Sequence, residues 1–155
     1  MQSENVEIEG TATKFYGGDV LFGKLRPYLS KTLLADFNGR CSTEILVMKV
    51  LSNTIVNELF KYILLSPNFI DEINSSTYGS KMPRANWDFI GNTFIPVPLL
   101  DEQFEILSKI KETEKTIFLL IKKLNLQIQK LKEYRQALIY EAVTGKIDVQ
   151  DMELD

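Results

Sequence analysis

From Leu100 to Ala142 the chain contains neither proline nor glycine, and across this stretch apolar side chains recur at alternating steps of three and four residues. Ile110, Ile117, Leu124, Leu131 and Leu138 form one row. Leu107, Glu114, Ile121, Ile128, Arg135 and Ala142 form the other, and nine of the eleven positions are apolar, Glu114 and Arg135 being the exceptions. This is the period of a coiled-coil seam. A helix over the stretch would be roughly 60 Å long at about 1.5 Å per residue, whereas a body of about 100 residues spans only some 30 Å. Such a helix reaches past its own domain, and its seam needs a partner surface to leave water. Phe104, Phe118, Leu120 and Tyr134 add apolar area off the seam. Lys115, Lys122, Lys123 and Lys130 read as a solvated face that sets solubility and partner choice.

Composition removes many other functions. With 155 residues, 45% hydrophobic and 25% charged, the chain can bury one ordinary core. It has no histidine and one cysteine, Cys41. The commonest zinc ligands, the Ser-His and Cys-His dyads and the usual general base near neutral pH are therefore missing. Asp71-Glu72 and Asp101-Glu102 fall where helices begin or run on a surface, so solvated charge accounts for them. Neither G-x-x-x-x-G-K-[ST] nor G-x-G-x-x-G occurs. The N-terminal residues lack a basic flank and an apolar core, so no secretory signal is expected, and no apolar run approaches a membrane-spanning length. A lone cysteine agrees with a reducing cytoplasm. The net charge of -3 argues against a generic nucleic-acid binder, but the charge is unevenly spread. Residues 109 to 135 carry +5, leaving -8 for the remainder.

Before residue 100 the pattern is short and mixed. Asn5 to Glu9 alternates weakly, Asp19 to Leu25 and Lys31 to Phe37 are strand-like, and Thr43 to Val50 is a β-rich apolar run opened by the Asn38-Gly39 turn. Asn53 can cap a helix from Thr54 to Leu65 with Ile55, Leu59, Phe60, Tyr62 and Ile63 inward, and Pro67 suits the first turn of another helix through Ile73. A polar, turn-rich loop, NSSTYGSKMPRAN, follows. Trp87, Phe89 and Ile90 are expected to return to the core, IPVP at 95 to 98 to form an edge strand, and Gly145 to stop the long helix.

Six segments, taken in order, resemble a known family: GDVLFGKLRPYLSK, NGRCSTEILVMK, YILLSPNFIDEI, YGSKMPR, FIPVPLLDEQ and LKEYRQALIYEAVTGKIDV. The set is similar to the specificity subunit of type I restriction-modification systems. The resemblance covers nearly the whole chain from about residue 17 onward. It implies an α+β fold, a small mixed target-recognition domain followed by one long helix that pairs as an antiparallel coiled coil. The implied organisation is a partial recognition domain over residues 1-99, the helix over 100-143 and an acidic tail over 144-155. It also implies a non-catalytic subunit that reads one half of a split double-stranded DNA site. Methyltransferase subunits dock on it, a restriction-translocase subunit joins through the complex, and S-adenosylmethionine, ATP and magnesium are expected only in those partners. Pro96, Pro98, Glu102 and Gln103 match the family's junction between domain and helix. Leu131, Lys132, Arg135, Leu138, Ile139, Ala142, Gly145, Lys146 and Ile147 match the end of the conserved helix, a region expected to help dock subunits. Gly79, Pro83 and Arg84 match the loop before the last recognition-domain strand. One module stands here where the family carries two, and strands that precede GDVLFGKLRP in the family have no counterpart before Met1. A natural half-subunit, a silent recombining cassette and an expressed fragment all fit that departure. A truncated assembly module that acts through the helix and reads no DNA is the alternative function.

The partner interface is expected along Leu107, Ile110, Ile117, Ile121, Leu124, Ile128, Leu131 and Leu138. The cations Lys24, Arg26 and Lys31 beside the strand-like VLFG have two explanations. In one, a carboxylate such as Glu44 holds Arg26 while Lys24 and Lys31 lie along an edge. In the other, all three face the DNA backbone with Lys81 and Arg84. Ser80 sits in that same polar loop, and Asn86 is a candidate reader of adenine.

Overall fold

The computed structural model describes residues 12–77 and 81–147, so the expected alternation at Asn5 to Glu9, Gly79, Ser80 and most of the acidic tail lie outside the described residues. The chain divides into two compact units, one reaching to Leu107 and the other beginning at Ser108. The division falls two helical turns inside the expected helix.

Among its described residues the first unit holds five short strands. Strands β1 (Ala12–Phe15) and β4 (Gly39–Ser42) pair antiparallel, and β2 (Val20–Gly23) lies between β3 (Thr32–Leu34) and β5 (Ile45–Met48), antiparallel to both. The pleat sends alternate residues of β2 to opposite faces. Val20 and Phe22 join Met48 in one core with Leu64, Phe69, Ile70 and Ile73, and the Phe22 and Phe69 rings meet edge to face at 5.9 Å. Leu21 turns the other way, to Phe15 and Ala35. Gly39 stands opposite Phe15 in the β1–β4 register and makes room for its ring. A Cβ there would lie 2.6 Å from the Phe15 ring.

Helices α1 (Asn57–Leu65) and α2 (Pro67–Ser75) cover the first core. Proline opens α2, and the Ser66 hydroxyl caps it by accepting from Phe69 N. The expected start of α1 at Thr54 is corrected to Asn57, and the reason is Gln103. Its side chain is fully buried, accepts from Val56 N (2.9 Å) and donates to Thr54 O (2.7 Å) and Pro98 O (2.8 Å). Two backbone groups that another helical turn could have used are held by this amide instead, and α1 starts after them.

Three other expectations are also corrected. The run from Thr43 to Val50 is broken by a turn at 43–44, where the Ser42 hydroxyl accepts from Glu44 N, so the ladder occupies only Ile45–Met48. Residues 95 to 98 pair with no strand, since Pro96 and Pro98 bring no amide to a ladder. Of the trio expected in the core, only Ile90 is buried, because the single turn of α3 (Trp87–Ile90) can turn one side inward and leaves Trp87 and Phe89 exposed.

Helix α4 runs from Leu100 to Val143, 44 residues. Its start follows capping chemistry: Glu102 reaches back to accept from Leu99 N (3.0 Å), and Asp101 and Glu102 sit favourably in the first turn. It ends in a Schellman turn, Lys146 N donating to Glu141 O and Gly145 N to Ala142 O, with Gly145 at φ +68°.

Candidate nucleic-acid interface and partner helix

The segment after β2 and the loop before α3 are stitched together. Leu25 and Arg84 form an isolated antiparallel bridge in which Arg26 N donates to Pro83 O (2.8 Å) and Ala85 N to Lys24 O (2.9 Å). Lys24 N also donates to Glu44 O, and Gly23 N to Lys31 O. These bonds bring the backbone of Lys24, Arg26, Lys31 and Arg84 to one corner of the sheet. Lys81, exposed, stands three residues before Arg84 on the same loop. Ser80 lies outside the described residues.

Glu44 sits at this corner, but its partner is not Arg26. The Arg84 guanidinium grips it in a fork, Nη2 to Oε1 at 3.0 Å and Nε to Oε2 at 3.1 Å. The expectation that Glu44 holds Arg26 is thereby corrected, since the bridge sets Arg84 beside the carboxylate and the fork occupies both oxygens. The Asn86 side chain caps α3 by accepting from Asp88 N (3.1 Å), which leaves its NH₂ as the group able to reach a ligand.

Beside this corner a shallow groove of about 340 Å3 opens between Leu21, Leu25, Leu33 and Ile45, with Lys31 and Glu44 at its sides. Sequence reasoning placed Gln103 at the junction without its bonds, and missed Glu44 as the partner of Arg84 and the pair Tyr28 and Leu29, which stand exposed in the 3-10 turn Pro27–Leu29. A signal for the turn itself was present, since Pro27 presets the backbone of a turn position, but nothing in the sequence told which side chains it would leave exposed. Cys41 donates weakly to Thr13 O, and burial pushes its thiol above the ordinary range, the reverse of what a nucleophile needs.

In the second unit the seam of α4 is open. Ile117, Ile121, Leu124, Ile128 and Leu131 are each between 50% and 66% exposed. Ile110 and Leu138 are half-buried. Leu107 differs from the expected interface row: it is 4% exposed, covered within its own unit, so the open seam starts beyond it. Leu119, Leu126 and Tyr140 lie on the side of the helix opposite the seam, in a row of seven-residue steps that Glu133 interrupts, and they too are exposed. No helix among the described residues is long and apolar enough to cross a membrane.

A family model described as the type I restriction modification DNA specificity domain matches residues 3–130. The chain belongs to that family. Among curated proteins it is similar to the type I restriction enzyme EcoDI specificity subunit of Escherichia coli, 26% identical over 137 residues, which is 88% of this chain and 30% of the relative. Among solved structures it resembles the HsdS subunit from Thermoanaerobacter tengcongensis, with a TM-score of 0.63 at 21% identity over 91% of this chain and 36% of that one. It also resembles a chain solved for the complex assembly and conformational transition of the type I R-M system, with a TM-score of 0.69 at 21% identity over 96% of this chain and 38% of that one. At these identities the structural likeness speaks for the fold, a mixed α/β body with a long C-terminal helix. The chain spans about a third of the length of each relative.

Proposed function

We propose that the chain is a DNA-recognition module of a type I restriction-modification complex. In this reading its body contacts one half of a split site on double-stranded DNA, and α4 docks the module on a second specificity helix and on a methyltransferase subunit. The observation that carries the reading is the convergence of Lys24, Arg26, Lys31 and Arg84 at one corner through the Leu25–Arg84 bridge, with Lys81 on the adjoining loop. Cations gathered at one edge of a chain with a net charge of -3 favour phosphates locally, where the whole molecule would not. Lys24, Arg26, Lys31, Lys81 and Arg84 serve as backbone contacts, and Ser80 and Asn86 as candidates for base edges.

Two opposed apolar rows on α4 support two docking partners. One helix, such as that of a second copy or another specificity chain, can cover the seam from Ile110 to Leu138, but it leaves Leu119 and Leu126 in water. A helix of the methyltransferase subunit suits that second face. The chemistry then belongs to the partners: the methyltransferase with S-adenosylmethionine, and the restriction-translocase subunit with ATP and magnesium. The module itself takes no cofactor, and its place is the cytoplasm, beside the DNA.

A pure assembly module is the second reading, favoured by the near balance of nine cations and ten acids over residues 1 to 100. Gel shift across a salt series separates the two. DNA recognition gives affinity that falls steeply with salt, log K against log salt having a slope of about -0.9 per phosphate contact. Absence of a shift even at low salt supports the assembly module and refutes DNA reading. Native mass by light scattering tests the helix: self-association lost in Leu124→Lys, or a methyltransferase mass added on mixing, supports docking through α4. A monomer that ignores the methyltransferase overturns it.

A further inference from the structure

We propose, resting on the DNA-recognition reading, that Arg26 is a phosphate-contacting residue held in a strained backbone conformation, with Tyr28 and Leu29 packing against the sugar edge of the same duplex. Arg26 has φ 53° and ψ 67°, and Ser30, at the other end of the turn, has φ 48° and ψ 46°. Both lie in the left-handed region, which glycine enters freely and side chains with a Cβ resist. The surrounding bonds impose this conformation on Arg26: its amide donates to Pro83 O and its carbonyl accepts from Leu29 N. Among the described residues, however, no hydrogen bond or ion pair engages its exposed side chain.

An arginine therefore occupies a position where glycine would fold with less strain, and among the described residues its guanidinium makes no bond that holds the fold. Residues strained in this way cluster at functional sites, where the surrounding structure holds them in place. The rest of the turn suits the same ligand. Pro27 is fully buried and roots it, while Tyr28 and Leu29, each 52% exposed, stand between Arg26 and the exposed Lys31. A cation beside two large apolar groups on a rigid turn fits the edge of a duplex, where phosphates alternate with sugars and apolar side chains enter the minor groove.

The test is fluorescence anisotropy of the full chain with a short duplex of arbitrary sequence across a salt series, paired with thermal melts. Arg26→Ala should weaken binding about five- to tenfold near 0.1 M salt and lower the salt slope by about 0.9. Arg26→Gly should lose the same affinity while its melting temperature stays level or rises by a few degrees. Tyr28→Ala should weaken binding with the salt slope unchanged, and Ser30→Gly should leave binding unchanged. Wild-type binding that Arg26→Ala does not alter, or a fall of more than about 5 °C in Arg26→Gly, overturns the assignment and leaves the DNA-recognition reading standing. A wild-type chain that binds no duplex at low salt, or an acidic protein in its place, refutes that reading, and the assignment falls with it.

Discussion

Replacing Gln103 with leucine should destabilise the first unit more than a substitution at any exposed position of α4. Leucine is close to glutamine in volume, so the change removes polarity and leaves the packing near its original density. Three main-chain groups lose their partner: Val56 N–H, Thr54 C=O and Pro98 C=O. An unsatisfied buried group costs about 1–3 kcal/mol. Thr54 is exposed, so water can take over that carbonyl, whereas Val56 and Pro98 are half-buried. Counting two groups at nearly full cost and the third at little gives about 3–4 kcal/mol, a large share of the roughly 5–15 kcal/mol that stabilises a domain. Urea denaturation read through Trp87, the single tryptophan, reports on the first unit. Amide exchange gives a second measure, since Val56 N–H should exchange at least tenfold faster in the variant. A loss below about 1 kcal/mol, with Val56 still protected, would refute the view that this amide holds the junction. Gln103→Glu adds a pH test. A buried carboxyl facing two carbonyls is held above its ordinary value of about 4.3, so the folded state binds the extra proton and the variant should lose stability as pH rises above that value.

The Arg84–Glu44 fork is a surface pair, with side chains 57% and 35% exposed, so Glu44→Gln should cost at most about 1 kcal/mol in denaturant. The same change frees a guanidinium and should tighten duplex binding several-fold with a steeper salt slope, which anisotropy would detect. Phe22→Ala empties a site that is fully buried against Phe69; a loss of about 3–5 kcal/mol is expected. Gly39→Ala drives a methyl group into the Phe15 ring, and about 1–3 kcal/mol of destabilisation should follow unless that ring swings aside.

Legibility followed the range of the interactions. The bounds of α4 could be read because its causes are local: Pro98 before it, an apolar period within it and Gly145 after it. The strand Val20–Gly23 was visible for the same reason, an unbroken apolar run between turn signals. Strand β4 was not, because Gly39–Ser42 is polar and is a strand only by virtue of its pairing with β1. The Arg84–Glu44 fork joins residues 40 positions apart, and nothing local to either names the other. The long gap between Asn53 and the true start of α1 has a similar origin, an amide some fifty positions downstream. Among the candidate DNA contacts, the pattern supplied the cations but not their order of engagement. Which of them had a carboxylate partner depended on the bridge between Leu25 and Arg84.

Among the described residues Gln103 bonds to main-chain atoms alone: one amide and two carbonyls, none of them on a side chain. Its socket is thus defined by the path of the backbone and is blind to the residues that travel along it. A body of different sequence would meet this joint on the same terms at Gln103 wherever its chain carried those three atoms in the same places, while Leu107, buried further along the helix, would still have to be covered by side chains.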